Sequence, residues 1–359
     1  MTVAKPSSPR RPRGSQAKIV VVHPRPQPVR LVIQIPCYNE EETLPETLAA
    51  LPRSIEGIDL IEVQIINDGS TDRTVEVARE LGVDHIVDVP VNKGLSHAFM
   101  AGLESALARG ADIIVNLDAD NQYNANDIPH LIKPILDRRA EFVIGDRPIT
   151  TIAHFSYLKR LLQLLGSAVV RMASQTTVRD APSGFRAISR DAALRLNSFD
   201  NYTYTLETIV QSGLSGIRIV SVPIGVNGET RPSRLIRSIP QYIWRSSKSI
   251  LRTALVYAPG KFLFRLSLPL LIAGLILVGR WLWLTIDGTD RAHVPSLVAA
   301  AGLLLTAVML WVAAITGEQM AINRRLLQDI QYRLRKAALP PRLELDEALS
   351  EHGVDDEQP

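Results

Sequence analysis

Residues 294–317 run for 24 positions without a charged side chain. About 20 such residues cross a bilayer as a helix. A second run, 266–279, is also free of charge. Arg280 follows it, then Trp281 and Trp283, and Asp287 ends it. This run reaches bilayer length if Arg280 extends its side chain to the interface, where the two tryptophans also belong. The polar stretch 287–293 between the runs is short, so the pair reads as a transmembrane hairpin. The alternative for each run is a buried helix of a soluble core. Mean hydropathy over the 359 residues is only +0.08, too low for a many-span transporter. A hydrophobic share of 46% with a net charge of +3 excludes a disordered chain. One cysteine, Cys37, excludes a disulfide scaffold.

Both outer flanks of the hairpin are basic. Residues 231–265 hold eight Lys/Arg and no acid, with Leu235, Ile239, Ile243, Ile250 and Leu251 at helical spacing. That pattern suits an amphipathic helix in a membrane interface. Arg324, Arg325, Arg333, Arg335 and Lys336 follow the hairpin. The positive-inside rule puts both flanks, and the domain before them, on the cytoplasmic side of the inner (plasma) membrane. Bases clustered beside a hairpin favour lipid headgroups over nucleic acid. Residues 1–30 carry seven Lys/Arg, six Pro and no acid, a disordered arm that is either solvated or weakly drawn to anionic lipid. The apolar run 19–22 is too short for a signal peptide. After Arg342 the tail has seven acids and no Lys or Arg, and also reads as disordered.

Between residues 30 and 226, short apolar runs alternate with amphipathic helical stretches. Strands are expected at 31–35, 61–66, 85–89, 113–117 and 142–144. Helices are expected at 40–51, 71–81 with Asp72 as N-cap, 96–109 and 128–138. Such alternation implies a mostly parallel, twisted, Rossmann-like sheet, whose ligands bind outside the carboxyl ends of the strands. Polar clusters fall at those ends. Pro36-Cys-Tyr-Asn-Glu40 closes the first strand, Asn67-Asp-Gly-Ser-Thr-Asp-Arg-Thr74 the second, and Asn92-Lys-Gly94 the third. Tyr38 can flank a base, while Asp68 and Glu40 can accept from base N–H groups or ribose hydroxyls. Gly69 and Ser70 read as a turn and helix cap. Asp118-Ala-Asp120-Asn-Gln122 follows the fourth strand. A turn there points both carboxylates at one hard cation, Mg²⁺ or Mn²⁺, with Gln122 adding a carbonyl oxygen. A solvated loop is the bland alternative.

These stretches, together with Gly145-Asp-Arg147 and Ser183-Gly-Phe-Arg186, resemble the family 2 glycosyltransferases of GT-A fold. Within that family the resemblance is to dolichol-phosphate mannosyltransferases and bacterial polyprenyl-phosphate glycosyltransferases, and it covers about residues 31–252. It implies nucleotide binding at Pro36, Tyr38, Glu40, Asp68 and Asp118. It implies metal and donor diphosphate binding at Asp118, Asp120 and Gln122, and a catalytic, phosphate-binding role for Arg186. Arg231 and Arg234 stand where the family has a late Arg and Lys for phosphate. Asn67 replaces a commoner aspartate, Asp146 replaces a usual serine, and Glu207 is either the counterpart of a family acid or a helix-surface charge.

The expected plan is a basic arm (1–29), a GT-A domain (30–230), juxtamembrane helices (231–261), two membrane helices (262–286 and 294–317), a cytoplasmic helix (318–338) and an acidic tail (339–359). The expected reaction is inverting hexose transfer from a nucleotide sugar, of GDP-mannose or UDP-glucose type, to a polyprenyl phosphate in cell-envelope glycan synthesis. Two alternatives stay open. A neutral lipid or glycan acceptor would need a base from Asp146, Asp180 or Glu207. A non-catalytic nucleotide-binding scaffold would not need the Asp118/Asp120 pair. The Gln-x-x-Arg-Trp motif of processive synthases is absent; Gln241-Tyr-Ile-Trp-Arg245 has similar letters in another order. Tetramers occur in the family, which leaves a homo-oligomer open.

Overall fold

A computed structural model describes residues 28–148, 176–197, 204–227, 259–287 and 294–339, with scattered helical residues between 167 and 174 and between 248 and 255. The apolar runs form β1 (Arg30–Cys37), β2 (Leu60–Asp68), β3 (His85–Val89), β4 (Ile113–Asn116) and β5 (Phe142–Asp146). Two strands not expected from the sequence, β6 (Arg186–Ser189) and β7 (Ile219–Pro223), complete the sheet. The order is β3-β2-β1-β4-β6-β5-β7. Only β6 runs antiparallel to its neighbours, so the sheet is mixed but mostly parallel.

Helices cover both faces, which is why the strands read as mostly apolar runs. On one face Leu31, Ile33, Ile35 and Val115 pack with α1 (Leu44–Ala49), α2 (Thr74–Glu80) and α4 (Ile128–Leu136). On the other, Val32, Ile114 and Ile188 pack with α3 (Leu95–Ala108), α5 (Arg190–Arg195) and α6 (Tyr204–Leu214). Each fully buried Ile or Leu contributes about 1.5–3 kcal/mol. Two of the four expected helices, α1 and α2, start later than periodicity suggests, while α3 and α4 start within a residue of it. The amides of Thr43 and Leu44 first close a turn on the Glu40 carbonyl, so α1 begins at Leu44. Asp72 stands one residue before the N-cap, Arg73, yet still accepts from the first-turn amide of Thr74 at 3.0 Å.

A chain of side-chain amides crosses the sheet beneath α3. Gln34, Gln64 and Asn116 are fully buried on β1, β2 and β4. Gln64 Nε2 donates to Gln34 Oε1 (3.3 Å) and to the Gly102 carbonyl (2.8 Å). Gln34 Nε2 donates to Asn116 Oδ1 (2.9 Å), and Arg109 donates to Gln64 Oε1. Asn116 Nδ2 then reaches the Gly184 carbonyl (3.0 Å) and the Tyr204 hydroxyl (2.9 Å). Gly102 leaves room for this chain, because a Cβ there would stand 2.5 Å from Gln34 Oε1.

After the sheet come α7 (Pro259–Ile286) and α8 (Val294–Ala338), both long and apolar enough to cross a membrane. They pack as an antiparallel hairpin. Gly260 meets Glu318, Ser267 meets Trp311, and Gly274 meets Leu304, so seven residues forward on one helix match seven back on the other. The seam is small-sided: Ser267 and Gly274 face Ala300, Ala307, Ala314 and Ala321. A seven-residue repeat of small groups brings helices close enough for dispersion and hydrogen bonds to hold them where lipid is as apolar as leucine. Trp311 Nε1 donates to Ser267 Oγ at 2.7 Å. Outside the seam Leu275, Ile276, Trp283, Leu305 and Met309 are exposed. The expected second span and the expected cytoplasmic helix are one unbroken helix of 45 residues.

Candidate active site

The parallel strands β1, β2 and β4 end on one edge, and the polar loops gather there. The first two loops are knitted together. Asn39, at φ 55°, donates its amide to Ser70 Oγ (3.0 Å) and accepts from the Thr71 amide (2.8 Å) on Oδ1. The Glu40 amide donates to Thr74 Oγ1 at 2.8 Å, and Thr43 Oγ1 donates to the Glu40 carboxylate at 2.8 Å. Asp68 is 4% exposed, with one carboxylate oxygen on the Lys93 amide (2.8 Å) and the other on that of Gly94 (2.9 Å). That grip binds the third loop to the second. Gly69, at φ 70°, must be glycine, since a Cβ would lie 2.5 Å from the Asn92 amide.

Asn67 has its own logic. Its Nδ2 donates to Asp88 Oδ1 on β3 (2.7 Å), and its Oδ1 accepts from the Ser70 amide (3.0 Å). An aspartate could fill only the second role, and would face Asp88 as a like charge. Tyr38 is 43% exposed just past the end of β1. Pro36 is buried in the strand. The Cys37 thiol is buried and pushed well above its usual pKa by that burial, so it is no nucleophile.

The chain turns after β4 as the acidic pattern requires. Asn121 adopts φ 53°, the Gln122 amide donates to Asp120 Oδ1 (3.2 Å), and Thr47 Oγ1 donates to the Ala119 carbonyl (3.0 Å). From the far side Asn227 ties the turn with Nδ2, bonding the carbonyls of Asn121 (2.9 Å) and Tyr123 (3.2 Å). Burial, then the neighbouring Asp120, raise the Asp118 carboxyl from 3.8 to about 7; Arg147 and Arg186 oppose them. A buried carboxyl raised by a second carboxylate two residues on is a hard-oxygen donor set of the kind a divalent cation relieves. Gly184 lies flat against Asp118, where a Cβ would be 2.6 Å from Oδ2. The Gly184 amide donates to the Tyr123 hydroxyl at 2.9 Å.

Arg186, which the resemblance makes a phosphate ligand, stands behind the acid pair. It is fully buried, and its guanidinium donates to the carbonyls of Ser183 (2.7 Å), Ala181 (2.9 Å) and Thr205 (3.0 Å) and to Thr208 Oγ1 (2.7 Å). It lies 5.6 Å from the Phe142 ring centroid and 5.3 Å from that of Tyr204. In this arrangement it braces the 181–184 loop behind Asp118, with four of its hydrogen bonds going to protein groups. Arg147 has the more open place, with its side chain 17% exposed and gripping the fully buried Asp180 through two bonds of 2.6 and 3.0 Å. Asp180 is thereby spoken for as a base. Asp146 ends β5, half-buried, its pKa raised by burial and then by Asp180. Glu207 is 7% exposed on α6, which rules out a helix-surface charge. Arg231 and Arg234 lie outside the described residues. Tyr123 and Asn227 were missed in sequence, since nothing in a loop pattern tells which residue fastens a turn.

The sequence profile of glycosyl transferase family 2 matches residues 32–196. An uncharacterized glycosyltransferase of Mycobacterium tuberculosis is 31% identical over 202 residues, 56% of this chain and 86% of that protein. An undecaprenyl-phosphate mannosyltransferase of Micrococcus luteus is 29% identical over 206 residues, 55% of this chain and 83% of that protein. Among solved structures, glucosyl-3-phosphoglycerate synthase from Mycobacterium tuberculosis, in complex with Mn²⁺, UDP and glucosyl-3-phosphoglycerate, superposes with a TM-score of 0.50. It is 19% identical, covering 63% of this chain and 79% of the synthase, and shares the fold. The strand-end loops, the acid pair after β4 and these likenesses agree: the chain is a glycosyltransferase and belongs to glycosyl transferase family 2.

Proposed function

We propose that the protein transfers a hexose from a nucleotide sugar to a polyprenyl phosphate, with inversion at the anomeric carbon, at the cytoplasmic face of the membrane. The observation that carries this reading is the strand-end gathering of polar loops around the adjacent carboxylates Asp118 and Asp120, joined in one chain to two helices of bilayer length. The name of the Micrococcus luteus relative supports the same acceptor class. In this reading Tyr38 flanks the donor base, and Pro36, Glu40 and Asp68 line the nucleoside. Asp118, Asp120 and Gln122 hold Mg²⁺ or Mn²⁺, whose charge offsets that of the nucleoside diphosphate leaving group. Arg147, locked in direction by Asp180, adds a fixed positive charge near Asp118.

The acceptor itself lightens the chemistry. A phosphate monoester has its second pKa near 6 and is mostly dianionic at pH 7. It needs shielding and aim more than a general base, in keeping with an Asp180 already occupied by Arg147. Arg231 and Arg234 are the proposed acceptor clamps, binding phosphate in fork geometry where lysine would bind as a point charge. Attack on the face opposite the diphosphate inverts the anomeric centre.

The test is to give the purified protein undecaprenyl phosphate and a panel of sugar nucleotides. A charged glycolipid from at least one donor, lost in Asp120→Ala, is expected. Transfer to an uncharged lipid alcohol and none to the lipid phosphate would sink the reading.

A further inference from the structure

The apolar part of α8 needs only residues 294–317, yet the helix continues unbroken to Ala338. Its far end docks on the catalytic domain. The Tyr332 hydroxyl donates to Asp191 Oδ1 at 2.7 Å, and the Arg195 guanidinium lies 5.0 Å over the Tyr332 ring. Arg335 donates to the Leu196 carbonyl (3.0 Å) and to Glu104 Oε1 (2.7 Å). Tyr332 and Leu339 pack against the core beneath α3 and α5.

The place of this contact matters. α5 follows β6, whose last residue Ser189 pairs with Ile113, the first residue of β4. The Arg190 amide bonds the Asp112 carbonyl, and its guanidinium bonds those of Leu107 and Ala111. The helix therefore grips the amino-terminal edge of the parallel strands, opposite the edge that carries Tyr38, Asp68 and Asp118. Two lengths now compare. From Glu318 to Tyr332 is fourteen residues of helix, about 21 Å, and to Arg335 about 26 Å. The eight residues of β1 span about 26 Å from the gripped edge to the cleft edge.

We propose that the outer half of α8 is a strut that sets the height of the cleft above the bilayer, with Tyr332 and Arg335 as the positioning residues that fasten it. On this proposal the strands lead from the gripped edge back toward the bilayer, and the match of the two lengths brings the strand-end loops to headgroup level. The strut thus selects an acceptor phosphate presented by the membrane surface over the same phosphate free in water. This rests on the lipid-phosphate reading above.

The test uses the full chain in phospholipid vesicles and two acceptors of one chemistry, undecaprenyl phosphate in the bilayer and geranyl phosphate in solution. In the first variant a seven-residue helical segment is inserted after Arg325. It lengthens the strut by about 10 Å and nearly preserves the docking face, because seven residues make almost two turns. The second variant is Tyr332→Phe with Arg335→Gln. Both are expected to lower kcat/KM for the bilayer acceptor about tenfold, by lost effective concentration, and to leave that for geranyl phosphate within twofold. An unchanged ratio between the two acceptors, whether both activities persist or both fall together, overturns the strut. Wild-type protein inactive on both acceptors refutes the lipid-phosphate reading itself, and the strut with it.

Discussion

Gly184→Ala is the sharpest probe of the cleft. Gly184 does not occupy the left-handed backbone region, so alanine is conformationally allowed and the added methyl is the whole perturbation. That Cβ would lie 2.6 Å from Asp118 Oδ2 and 2.8 Å from Oδ1, where ordinary contact begins at 3.4 Å. Neither side yields cheaply. Gly184 is held by Tyr123 on its amide and by Asn116 on its carbonyl, and Asp118 sits on the tightly tied turn after β4. The carboxylate must move by roughly 0.8 Å, and a misplacement near 1 Å costs about 10²-fold in rate. The assay measures kcat and the half-saturating concentration of Mn²⁺ for wild type and variant, with thermal melting as a folding control. A fall of about a hundredfold in kcat, with weaker metal dependence and a melting point within a few degrees, is expected. A variant with kcat within threefold of wild type would refute the placement of Asp118 at the reacting centre.

Three more outcomes follow from the same geometry. Asp180→Asn strips the counter-charge from the mostly buried Arg147; breaking such a pair costs about 3 kcal/mol or more, a drop of about 6–12 °C in melting temperature. Unchanged melting would show that Arg147 relaxes into solvent without loss. Asn67→Asp replaces the bond to Asp88 with like-charge repulsion, a loss of about 0.5–1 kcal/mol that denaturant titration should find growing as pH rises through the carboxylate range, and absent in Asn67→Asp combined with Asp88→Asn. In metal-free protein Asp118, raised from 3.8 to about 7, holds a proton that the unfolded chain has released, so melting temperature should fall as pH rises between those values. Asp118→Asn should flatten that slope, and Mn²⁺ should restore wild-type stability at the upper end; a slope unchanged by the substitution assigns the effect to other groups.

The elements that were legible in sequence are those whose signal is local. β1 to β5 announced themselves because their sequences are rich in isoleucine, leucine and valine, and the strand-end loops because turns need Gly, Asn and Asp at fixed places. β6 has only Ala187 and Ile188 as apolar residues, and β7 is interrupted by Ser221 and closed by Pro223, so neither presents a clear apolar run. The acid pair at Asp118 and Asp120 was readable, since a strand end followed by a turn is enough to converge them. Arg186 was not. Its motif marks it as a cation near the donor, whereas its surroundings are carbonyls contributed by Ala181, Ser183 and Thr205, which only the tertiary fold brings round it. The docking of Tyr332 against Asp191 joins residues 141 positions apart, and no spacing rule reaches that far.

The amides Gln34, Gln64 and Asn116 act as a key cut into the sheet. A parallel strand that slips by one residue turns every side chain to the opposite face. Here such a slip would drive an amide into the apolar layer under α1, α2 and α4, at a cost of about 1–3 kcal/mol for each polar group left without a partner. It would also bring an isoleucine or valine against the carbonyls of α3. Strands built only of interchangeable aliphatic residues would lack this penalty and could settle in neighbouring alignments. The three amides thus proofread the alignment of β1, β2 and β4 as the sheet forms, and with it the level at which Tyr38, Asp68 and Asp118 come to stand along one rim.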